Sequence, residues 1–528
     1  MNHFTSKYAD SISGVLSGFD RLVFRGNLRR LCFVEGMSAY LQFRKVLLKD
    51  FGQHADQITE RIKQASLSQV QSLGRPVRYL ASCLVSKEET ARRIAREQGI
   101  KEGPVCVLTS VEPCHGFDIF RNRDAKRLEL VSRTRKCLHL YHYMFHPVFG
   151  FMNARIQTWF PFRIQVCING REWLARQMEQ EGIGYERRDN CFVRLSDFDR
   201  AQELMDEQLR VHWPSLLTEI ARTLNPLHEE LFGEFCADYY WSTYQSEWAT
   251  DIVFNDPDML RRLYPMLLRH GMGALGSLDV MRFLGRKPGL NGCLPPAFLG
   301  EVTSDIKGRP EGVRIKHRVN SNSVKAYDKA YTKESAVLRV ETTMNNEADF
   351  KVYRPKEGDS GGVLEWRSLR KGIADLYRRA EVCQAANGRY LDALASVDDS
   401  VTLQELLEKN KVTTPVEWNG KGVRALHPFE PKDTALLAAV SRGEFSINGL
   451  RNRDLQRLLF TGEASSPEER KRRSAWVTRQ LRLLRAHGLI SKVPHTHRYQ
   501  VTSLGRQIIT AVLTARETPI RQLLPKAA

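Results

Sequence analysis

Alternating hydrophobic and polar residues mark the centre of this chain, between residues 313 and 342. At its start Val313, Ile315 and His317 alternate with the cations Arg314, Lys316 and Arg318. This period of two predicts a half-buried strand. Turn-forming residues at 320–323 separate it from an extended run at 324–327, and a second break at 333–335 precedes an extended run at 337–342. The pattern therefore predicts two or three strands in this segment.

The polar side chains of these strands form an unusual set for a protein core. They are Lys325, Tyr327, Lys329, Arg339 and Glu341. On the last strand Arg339 and Glu341 are expected on one face, with Leu338 and Val340 on the other. Burying such a face costs free energy unless every charge is paired. The set suits a phosphodiester held near a tyrosine hydroxyl, although cross-strand pairs of Lys329 or Arg339 with Glu341 would explain it equally well.

The first 200 residues predict an α/β segment and then a strand-rich segment. Helices are expected at 38–52, 55–73, 86–98 (capped by Ser86 and ended by Gly99) and 171–181. Strands are expected at 20–25, 78–82, 105–110, 117–121, 128–132, 137–145, 152–168 (broken at Pro161) and 191–195. Residues 200–285 are expected to be mostly helical. Within them, residues 239–251 (YYWSTYQSEWATD) favour a packed helix over a platform on which single-stranded bases stack.

Residues 431–528 predict three helices, a hairpin and a last helix. The helices are expected at 433–442, 450–460 and 469–487, with a turn at 446–449 and Gly488 ending the third. The hairpin pairs 489–493 with 498–502, and the last helix begins at about Ser503. Residues 483–506 (LLRAHGLISKVPHTHRYQVTSLGR) resemble the winged-helix regions of MarR-like and related DNA-binding proteins.

The third of these helices has two distinct sides. Val477, Leu481 and Leu484 form the apolar stripe that packs inward. Arg472, Arg479 and Arg482 lie on the other side, where a major groove would be, unless they are only a solvated face. The expected wing adds Lys492, His495, His497 and Arg498 as nucleic-acid contacts.

Net charge supports a polyanionic partner. The 528 residues carry 80 Lys and Arg against 61 Asp and Glu, a net of +19, of which +11 falls within residues 431–528. DNA is the favoured partner, RNA stays open, and a homodimer is an option. The sequence has no apolar run of 18 residues and no start that resembles a signal peptide, so no membrane association is expected. The ten cysteines are scattered, which suits a reducing cytoplasm.

A short resemblance bears on activity. Residues 322–329 (NSVKAYDK) followed by 338–341 (LRVE) resemble the tyrosine segment of rolling-circle plasmid replication initiators of the Rep_trans type. In that family a tyrosine becomes linked to the 5′-phosphate of a nick in a metal-dependent step. The resemblance implies that Tyr327 is the nucleophile, that Lys329 binds phosphate with Lys325 beside it, and that Glu341 holds a divalent metal, Mg²⁺ or Mn²⁺. Asp328 is a further candidate ligand.

Other sites are also open. Asp20, on an apolar strand, could be the first carboxylate of a two-metal site like that of RNase H-like transposases, with Asp251 or Glu341 as partners. His139 and His142 are spaced wrongly for one strand face. A metal shared by Cys106, Cys114 and His115 is a weaker option. Arg155, Gln157, Trp159 and Arg163 could line a nucleic-acid channel or a half-exposed sheet face.

Together these features predict a multidomain α+β protein. A central mixed or antiparallel sheet region with a helical insertion would precede a C-terminal winged helix, over regions 1–104, 105–200, 201–285, 313–400 and 431–528. Residues 286–312, 354–362 and 411–433 are expected to be breaks or linkers. The favoured function is a DNA-nicking endonuclease or replication initiator of a mobile element. A non-enzymatic DNA-binding regulator, a carboxylate-metal transposase and an RNA-binding protein are the alternatives, and Arg314, Lys316 and Arg339 join the candidate nucleic-acid contacts.

Overall fold

A computed structural model describes residues 3–81, 84–286, 298, 300–309, 312–356, 358, 361–396, 402–442, 445, 449–462 and 464–518. The chain divides into two compact units that interleave along the sequence. Unit 1 comprises Met1–Gly14, Asp251–Thr342 and Ala385–Ala528, and unit 2 comprises Val15–Thr250 and Thr343–Gln384. Helices and a large mixed sheet occur together with several small sheets. The expected multidomain α+β class is confirmed.

The helices are α1 His3–Lys7, α2 Val34–Phe43, α3 Phe51–Ser72, α4 Lys87–Glu97, α5 Gly170–Glu181, α6 Phe198–Glu207, α7 Trp213–Leu224, α8 Pro257–Gly273, α9 Ser277–Phe283, α10 Leu376–Ala395, α11 Leu403–Lys409, α12 Pro431–Val440, α13 Asn452–Leu459, α14 Pro467–Ala486 and α15 Ser503–Glu517. The strands are β1 Ile12–Leu28, β2 Val77–Tyr79, β3 Gly103–Asn122, β4 Arg127–His146, β5 Gly150–Gln157, β6 Ile164–Asn169, β7 Tyr185–Arg188, β8 Cys191–Leu195, β9 Tyr239–Phe254, β10 Val302–Arg309, β11 Gly312–Val319, β12 Asn322–Tyr331, β13 Ala336–Met344, β14 Lys351–Arg354, β15 Glu365–Ser368, β16 Val416–Trp418, β17 Lys421–Val423, β18 Leu450–Arg451, β19 Ile490–Lys492 and β20 Arg498–Val501.

Unit 2 is built on a twisted mixed sheet. Its strand order is β9-β1-β6-β5-β4-β3-β2. Successive pairs from β1 to β3 are antiparallel, whereas β2 joins β3 in parallel. The sequence predicts two strands in the place of β3 and two in the place of β4, but each is a single strand of 20 residues. The polar residues that suggested breaks lie where the long hairpin is exposed to solvent.

Two helix predictions in unit 2 are wrong. Residues 38–52 do not form one helix, because α2 ends at Phe43 and Lys45 adopts a left-handed conformation with φ of 55°. Residues 239–251 form most of strand β9, not a packed helix. Polar residues such as Thr243 and Ser246 are buried in this strand while Tyr240 and Tyr244 are exposed, so burial does not follow hydrophobicity and the sequence there has no clean period. The Ser86 cap of α4 and the left-handed Gly99 after it are confirmed.

Unit 1 contains the predicted central strands. β10, β11, β12 and β13 are neighbours in that order, and the end of β9 follows β13. Turns at Asn320 and after Tyr331 separate the strands as the sequence predicts. The expected break at 286–312 is only partly correct, because Val302–Arg309 is a strand paired along its whole length with β11. Residues 287–297, 299, 310 and 311 of that break lie outside the described residues.

The C-terminal part of unit 1 has winged-helix order. Helices α12, α13 and α14 precede the β19–β20 hairpin, and β18 completes a three-stranded sheet in the order β18-β20-β19. Of the predicted turn at 446–449, residues 446–448 lie outside the described residues. The expected linker at 411–433 is instead part of this fold, since Val412 and Leu426 are buried in its core with Leu436 and Leu481. Arg506 of α15 also pairs with Asp279 of α9 at 2.6 Å.

Candidate functional site

The tyrosine of the central strands lies in a row of cations in unit 1. Strand register places Arg314 of β11 directly opposite Tyr327 of β12, and Lys316 directly opposite Lys325. Residues directly opposite each other in an antiparallel pair share one face of the sheet. Tyr327, Lys325 and Lys329 are 8%, 9% and 9% exposed. The predicted convergence of tyrosine and lysines on one face is therefore present, in a nearly buried position.

Glu341 connects this row to strand β13. Its Oε1 accepts a hydrogen bond from the Lys325 ammonium at 2.5 Å, and its Oε2 accepts one from the Tyr327 hydroxyl at 2.6 Å. Burial raises the pKa of Glu341, but the Lys325 charge and these two hydrogen bonds together hold that pKa well below its usual range. Glu341 is therefore an ionised carboxylate at neutral pH. Lys325 is a direct ion-pair partner of Glu341, a pairing that the sequence did not single out.

Several cations of unit 1 share the sheet face of Tyr327. Arg314 buries its Nε without a hydrogen-bond partner among the described residues. Burial lowers the pKa of Lys316, and the nearby charges of Lys325 and Arg314 lower it further against the attraction of Asp305. The Lys329 ammonium lies 5.9 Å from the centre of the Tyr327 ring. Such a group of cations favours an anionic ligand.

Arg339 is not placed to contact nucleic acid. Its Nε and Nη2 donate to the two carboxylate oxygens of Asp251 at 2.5 and 2.8 Å. Each side chain is only 1% exposed. Both oxygens of Asp251 thus bind a guanidinium, which removes Asp251 from the candidate metal ligands as well.

Asp328 does not join the Tyr327 cluster. It follows Tyr327 on a strand, so its side chain points to the opposite face. There its Oδ1 accepts a hydrogen bond from the Val313 amide at 3.0 Å. Burial raises the pKa of Asp328 to about 6, against hydrogen bonds that lower it. We therefore exclude Asp328 as a partner of Glu341 in holding a cation.

Asp20 lines a polar cavity of unit 2. The cavity has a volume of about 480 Å³ and is lined by both acidic and basic side chains, among them Asp20, Glu247, Arg21 and Arg92. Ligand oxygens of Asp20 and Glu247 lie within 4.8 Å of each other. Asn190 donates to Asp20 Oδ1 at 2.6 Å, and the fully buried Arg171 lies 3.9 Å from the same oxygen. These contacts fix the orientation of the Asp20 carboxylate.

Two convergent carboxylates could hold a metal ion. Mg²⁺ and Mn²⁺ prefer hard oxygen ligands, and Mg²⁺ is commonly bound through one or two carboxylates. Asp20 and Glu247 supply such oxygens within one cavity, and the donor set fits. Sequence reasoning missed Glu247 because residues 239–251 were read as a helix. An acidic residue next to aromatic and small residues was the available signal.

The other metal hypotheses fail on geometry. His139 and His142 have different partners, since His142 Nε2 lies 3.0 Å from the Ser66 hydroxyl whereas His139 Nδ1 faces the Cys137 carbonyl at 3.3 Å. Cys106 and Cys114 are eight residues apart on the single strand β3, a separation of about 26 Å. They cannot share a metal. The Cys114 sulfur instead lies 3.0 Å from that of Cys137.

The predicted winged-helix contacts differ in exposure. Arg472 and Arg479 are exposed on α14, and Lys492, His495 and His497 are exposed on the hairpin. Arg498 is half-buried on β20. Arg482 is also half-buried, with its guanidinium 5.9 Å from the centre of the Trp418 ring. The predicted core residues Val477, Leu481 and Leu484 are buried.

The suggested nucleic-acid channel on residues 155–163 is partly wrong. Gln157 and Trp159 are 3% and 8% exposed, and the Trp159 indole donates to the Phe117 carbonyl beneath the Arg135 guanidinium. Trp159 therefore cannot stack on a base. Arg155 and Arg163 stay partly exposed.

Comparisons with known proteins gave no relatives. No protein-family model matches the chain, and neither the curated proteins nor the solved structures contain a match. Among the described residues, no helix has the length and apolar character needed to cross a bilayer.

Proposed function

We propose that this protein is a DNA strand-nicking endonuclease, of the kind that initiates replication or transfer of a mobile element, with Tyr327 as nucleophile. The observation that carries the proposal is the Tyr327 hydroxyl bound to ionised Glu341 at 2.6 Å, on a sheet face that also carries Arg314, Lys316 and Lys325. A phosphodiester beside the hydroxyl would pair with these cations.

The reaction forms one bond and breaks one bond. The Tyr327 oxygen attacks phosphorus, a bond from phosphorus to the tyrosine oxygen forms, and the bond to the 3′ oxygen breaks. The 3′ oxygen leaves as a hydroxyl, so the proton lost by Tyr327 ends on it. Glu341 orients the hydroxyl and can accept its proton, but a carboxylate of low pKa is a weak base for a group whose free pKa is about 10. Arg314, Lys316 and Lys325 supply the positive charge that stabilises the developing phenolate and the phosphate oxygens.

A divalent cation is part of the proposal, as the Rep_trans resemblance implies. Asp20 and Glu247 of unit 2 are the residues that would hold Mg²⁺ or Mn²⁺, and a divalent cation bound there would supply Lewis-acid chemistry. The contribution of Glu341 to metal binding stays a prediction from sequence.

In this proposal the winged helix binds duplex DNA and thereby selects the site that is nicked. Arg472 and Arg479 are exposed on the third helix, the element that enters the major groove in helix-turn-helix proteins. The small exposed fraction of Tyr327 favours a single-stranded or extruded segment as the cleaved substrate. A cytoplasmic location and dimerisation stay predictions.

A second candidate is a carboxylate-metal nuclease or transposase. The convergence of Asp20 and Glu247 favours it specifically. In that reaction water or a 3′ hydroxyl is the nucleophile, so no protein–DNA bond forms. Tyr327 would then be a structural hydrogen-bond donor.

The test is incubation with 5′- and 3′-labelled single-stranded and supercoiled DNA plus Mg²⁺ or Mn²⁺, followed by denaturing gel electrophoresis. We expect labelled DNA to remain on the protein, and we expect Tyr327→Phe to abolish this adduct while DNA binding is retained. Tyr331→Phe is the matched control, because Tyr331 lies on the same strand beyond the Glu341 contact. Asp20→Asn and Glu247→Gln should reduce cleavage.

Each alternative gives a different result. Cleavage that survives Tyr327→Phe but not Asp20→Asn identifies the carboxylate-metal enzyme. Duplex binding with no cleavage at any metal concentration identifies a DNA-binding regulator. Tighter binding to RNA than to DNA at matched salt identifies an RNA-binding protein.

A further inference from the structure

One face of the unit 2 sheet carries a row of polar side chains across four neighbouring strands. Arg25 of β1 lies opposite Gln165 of β6, Gln165 lies opposite Arg155 of β5, and Arg155 lies opposite Tyr141 of β4. Because directly opposed residues share a face, these four side chains project on the same side of the sheet. All four are partly exposed.

Two tyrosines of β9 extend this face beside β1. The Arg25 guanidinium lies 3.7 Å from the centre of the Tyr244 ring, and that of Arg29 lies 5.6 Å from the centre of the Tyr240 ring. Tyr240 is 49% exposed and Tyr244 is 41% exposed. Tyrosine is enriched at binding interfaces, so two neighbouring half-exposed rings beside arginines suit a binding surface.

The charges on this face are incompletely balanced. Glu112 lies 3.3 Å from Arg155 and is the carboxylate that pairs with it. Arg163 buries its Nε without a hydrogen-bond partner in the part of the chain that the structure describes. Burial lowers the pKa of Arg25, and the charges of Arg163 and Arg155 act in the same direction, against its contact with Tyr244. The arginines repel one another where no ligand separates them.

We propose that this arginine–tyrosine face, consisting of Arg25, Arg29, Arg155, Arg163, Tyr240 and Tyr244, binds single-stranded DNA. Bases stack on the two tyrosine rings, and the arginines bind the phosphates. Stacking of this kind requires unpaired bases, and every base has a face that can stack, so binding is not sequence-specific. The choice of DNA over RNA rests on the proposed nicking function. The inference that the bound DNA is single-stranded rests on the exposed tyrosine rings alone.

The experiment measures binding of fluorescein-labelled oligo(dT) of 20 nucleotides to the full chain by anisotropy, in EDTA so that no metal-dependent step contributes. We expect the double variant Tyr240→Leu/Tyr244→Leu to bind roughly tenfold or more weakly, from the loss of two stacked bases. Tyr240→Phe/Tyr244→Phe keeps the rings and should bind like the parent protein. Tyr79→Leu, at a tyrosine 60% exposed on the edge strand β2, is the matched control.

Salt dependence tests the arginines separately. Arg25→Gln and Arg163→Gln should each reduce the slope of log affinity against log salt concentration by roughly 0.7, the value for one phosphate of a single strand. Arg25→Lys keeps the charge and should restore the slope. Arg123→Gln, in an exposed turn of the same unit, should leave it unchanged.

Duplex binding provides the internal reference. The leucine double variant should retain affinity for duplex DNA, whereas Arg472→Gln/Arg479→Gln should lose duplex affinity and retain oligo(dT) affinity. Equal oligo(dT) binding by the leucine double variant and the Tyr79→Leu control would overturn the proposal. So would a leucine double variant that loses affinity for oligo(dT) and for duplex DNA to the same extent. Tighter binding of oligo(rU) than of oligo(dT) would overturn the assignment to DNA. If the nicking assay fails but the oligo(dT) results are as expected, the proposed nicking function is wrong and the single-strand binding surface still stands.

Discussion

The guanidinium of Arg339 and the carboxylate of Asp251 form a two-bond ion pair inside unit 1, at 2.5 and 2.8 Å. With each side chain 1% exposed, the pair connects the last part of β9 to β13 and carries no charge to the surface. The Arg-Val-Glu segment therefore divides its roles between two residues. Arg339 stabilises the sheet, and Glu341 holds the tyrosine hydroxyl.

Breaking the Arg339 pair should destabilise the fold. Asp251→Asn leaves a buried guanidinium without its counter-ion, which costs about 3–5 kcal/mol. Urea unfolding followed by circular dichroism should show the loss in the transition of unit 1. The double variant Asp251→Leu/Arg339→Met should recover much of it, because an apolar pair can replace a buried ion pair. A midpoint for Asp251→Asn equal to that of Asp305→Asn, at a partly exposed carboxylate, would contradict this role.

The Glu341 carboxylate should make stability depend on acid pH. Its pKa is lowered in the folded state, mainly by the Lys325 charge, although burial opposes the shift. A lowered carboxylate pKa contributes stability that is present above the unfolded value of about 4.5 and is lost as the pH falls below it. Thermal melts of the parent protein and Glu341→Gln should therefore differ most near pH 7 and converge toward acid pH. A difference that grows on acidification would rule the ion pair out as its source.

Asp328 should have the opposite effect. Burial raises its pKa to about 6, so its contribution to stability is full below the unfolded value of about 4 and declines as the pH rises through 6. Asp328→Asn should raise the melting temperature at pH 8 but not at pH 4. The gain is roughly 1 kcal/mol, because solvent screens a group that is only partly buried. Thermal denaturation at pH 4 and pH 8 measures the change in melting temperature of Asp328→Asn. Asp305→Asn is the reference variant.

Metal binding should depend on the unit 2 carboxylates. Titration of Mn²⁺ followed by electron paramagnetic resonance should show roughly tenfold or greater weakening for Asp20→Asn and for Glu247→Gln, since each removes a ligand charge. Glu88→Gln is a matched control, because Glu88 lines the same cavity but binds Arg92. Unchanged affinity in both ligand variants would exclude the site. The same titration with Glu341→Gln tests the metal-binding role that the sequence predicts for Glu341.

The winged-helix arginines should not contribute equally to duplex binding. Arg472→Gln and Arg479→Gln should each lower the salt slope of duplex affinity by about 0.9, the value for one phosphate contact. Arg482→Gln should lower it less, because the Arg482 guanidinium is near the Trp418 ring and only partly exposed. Fluorescence anisotropy with a labelled duplex over a series of salt concentrations measures all three slopes. Equal slopes for Arg482→Gln and Arg479→Gln would contradict the difference in exposure.

Local pattern predicted many elements because their causes are local. The alternation at residues 313–319, the Ser86 cap and the left-handed Gly488 each appear where the sequence places them. The winged-helix core at Val477, Leu481 and Leu484 follows from helical spacing alone. Strand β9 was missed because it buries polar residues and exposes two tyrosines, so its sequence has no regular period. The segment around Val412 and Leu426 was missed because its burial comes from long-range packing, which leaves no periodic signal.

The sequence by itself determined the α+β class, the excess of positive charge and the presence of a tyrosine, lysines and a glutamate on adjacent strands. Tertiary structure decided which charges pair. It assigned Lys325 and Tyr327 to Glu341, Arg339 to Asp251, and Glu247 to the cavity of Asp20. Strand register and long-range pairing bring together residues far apart in the chain, and a pattern with a period of two or 3.6 residues contains no information about such partners.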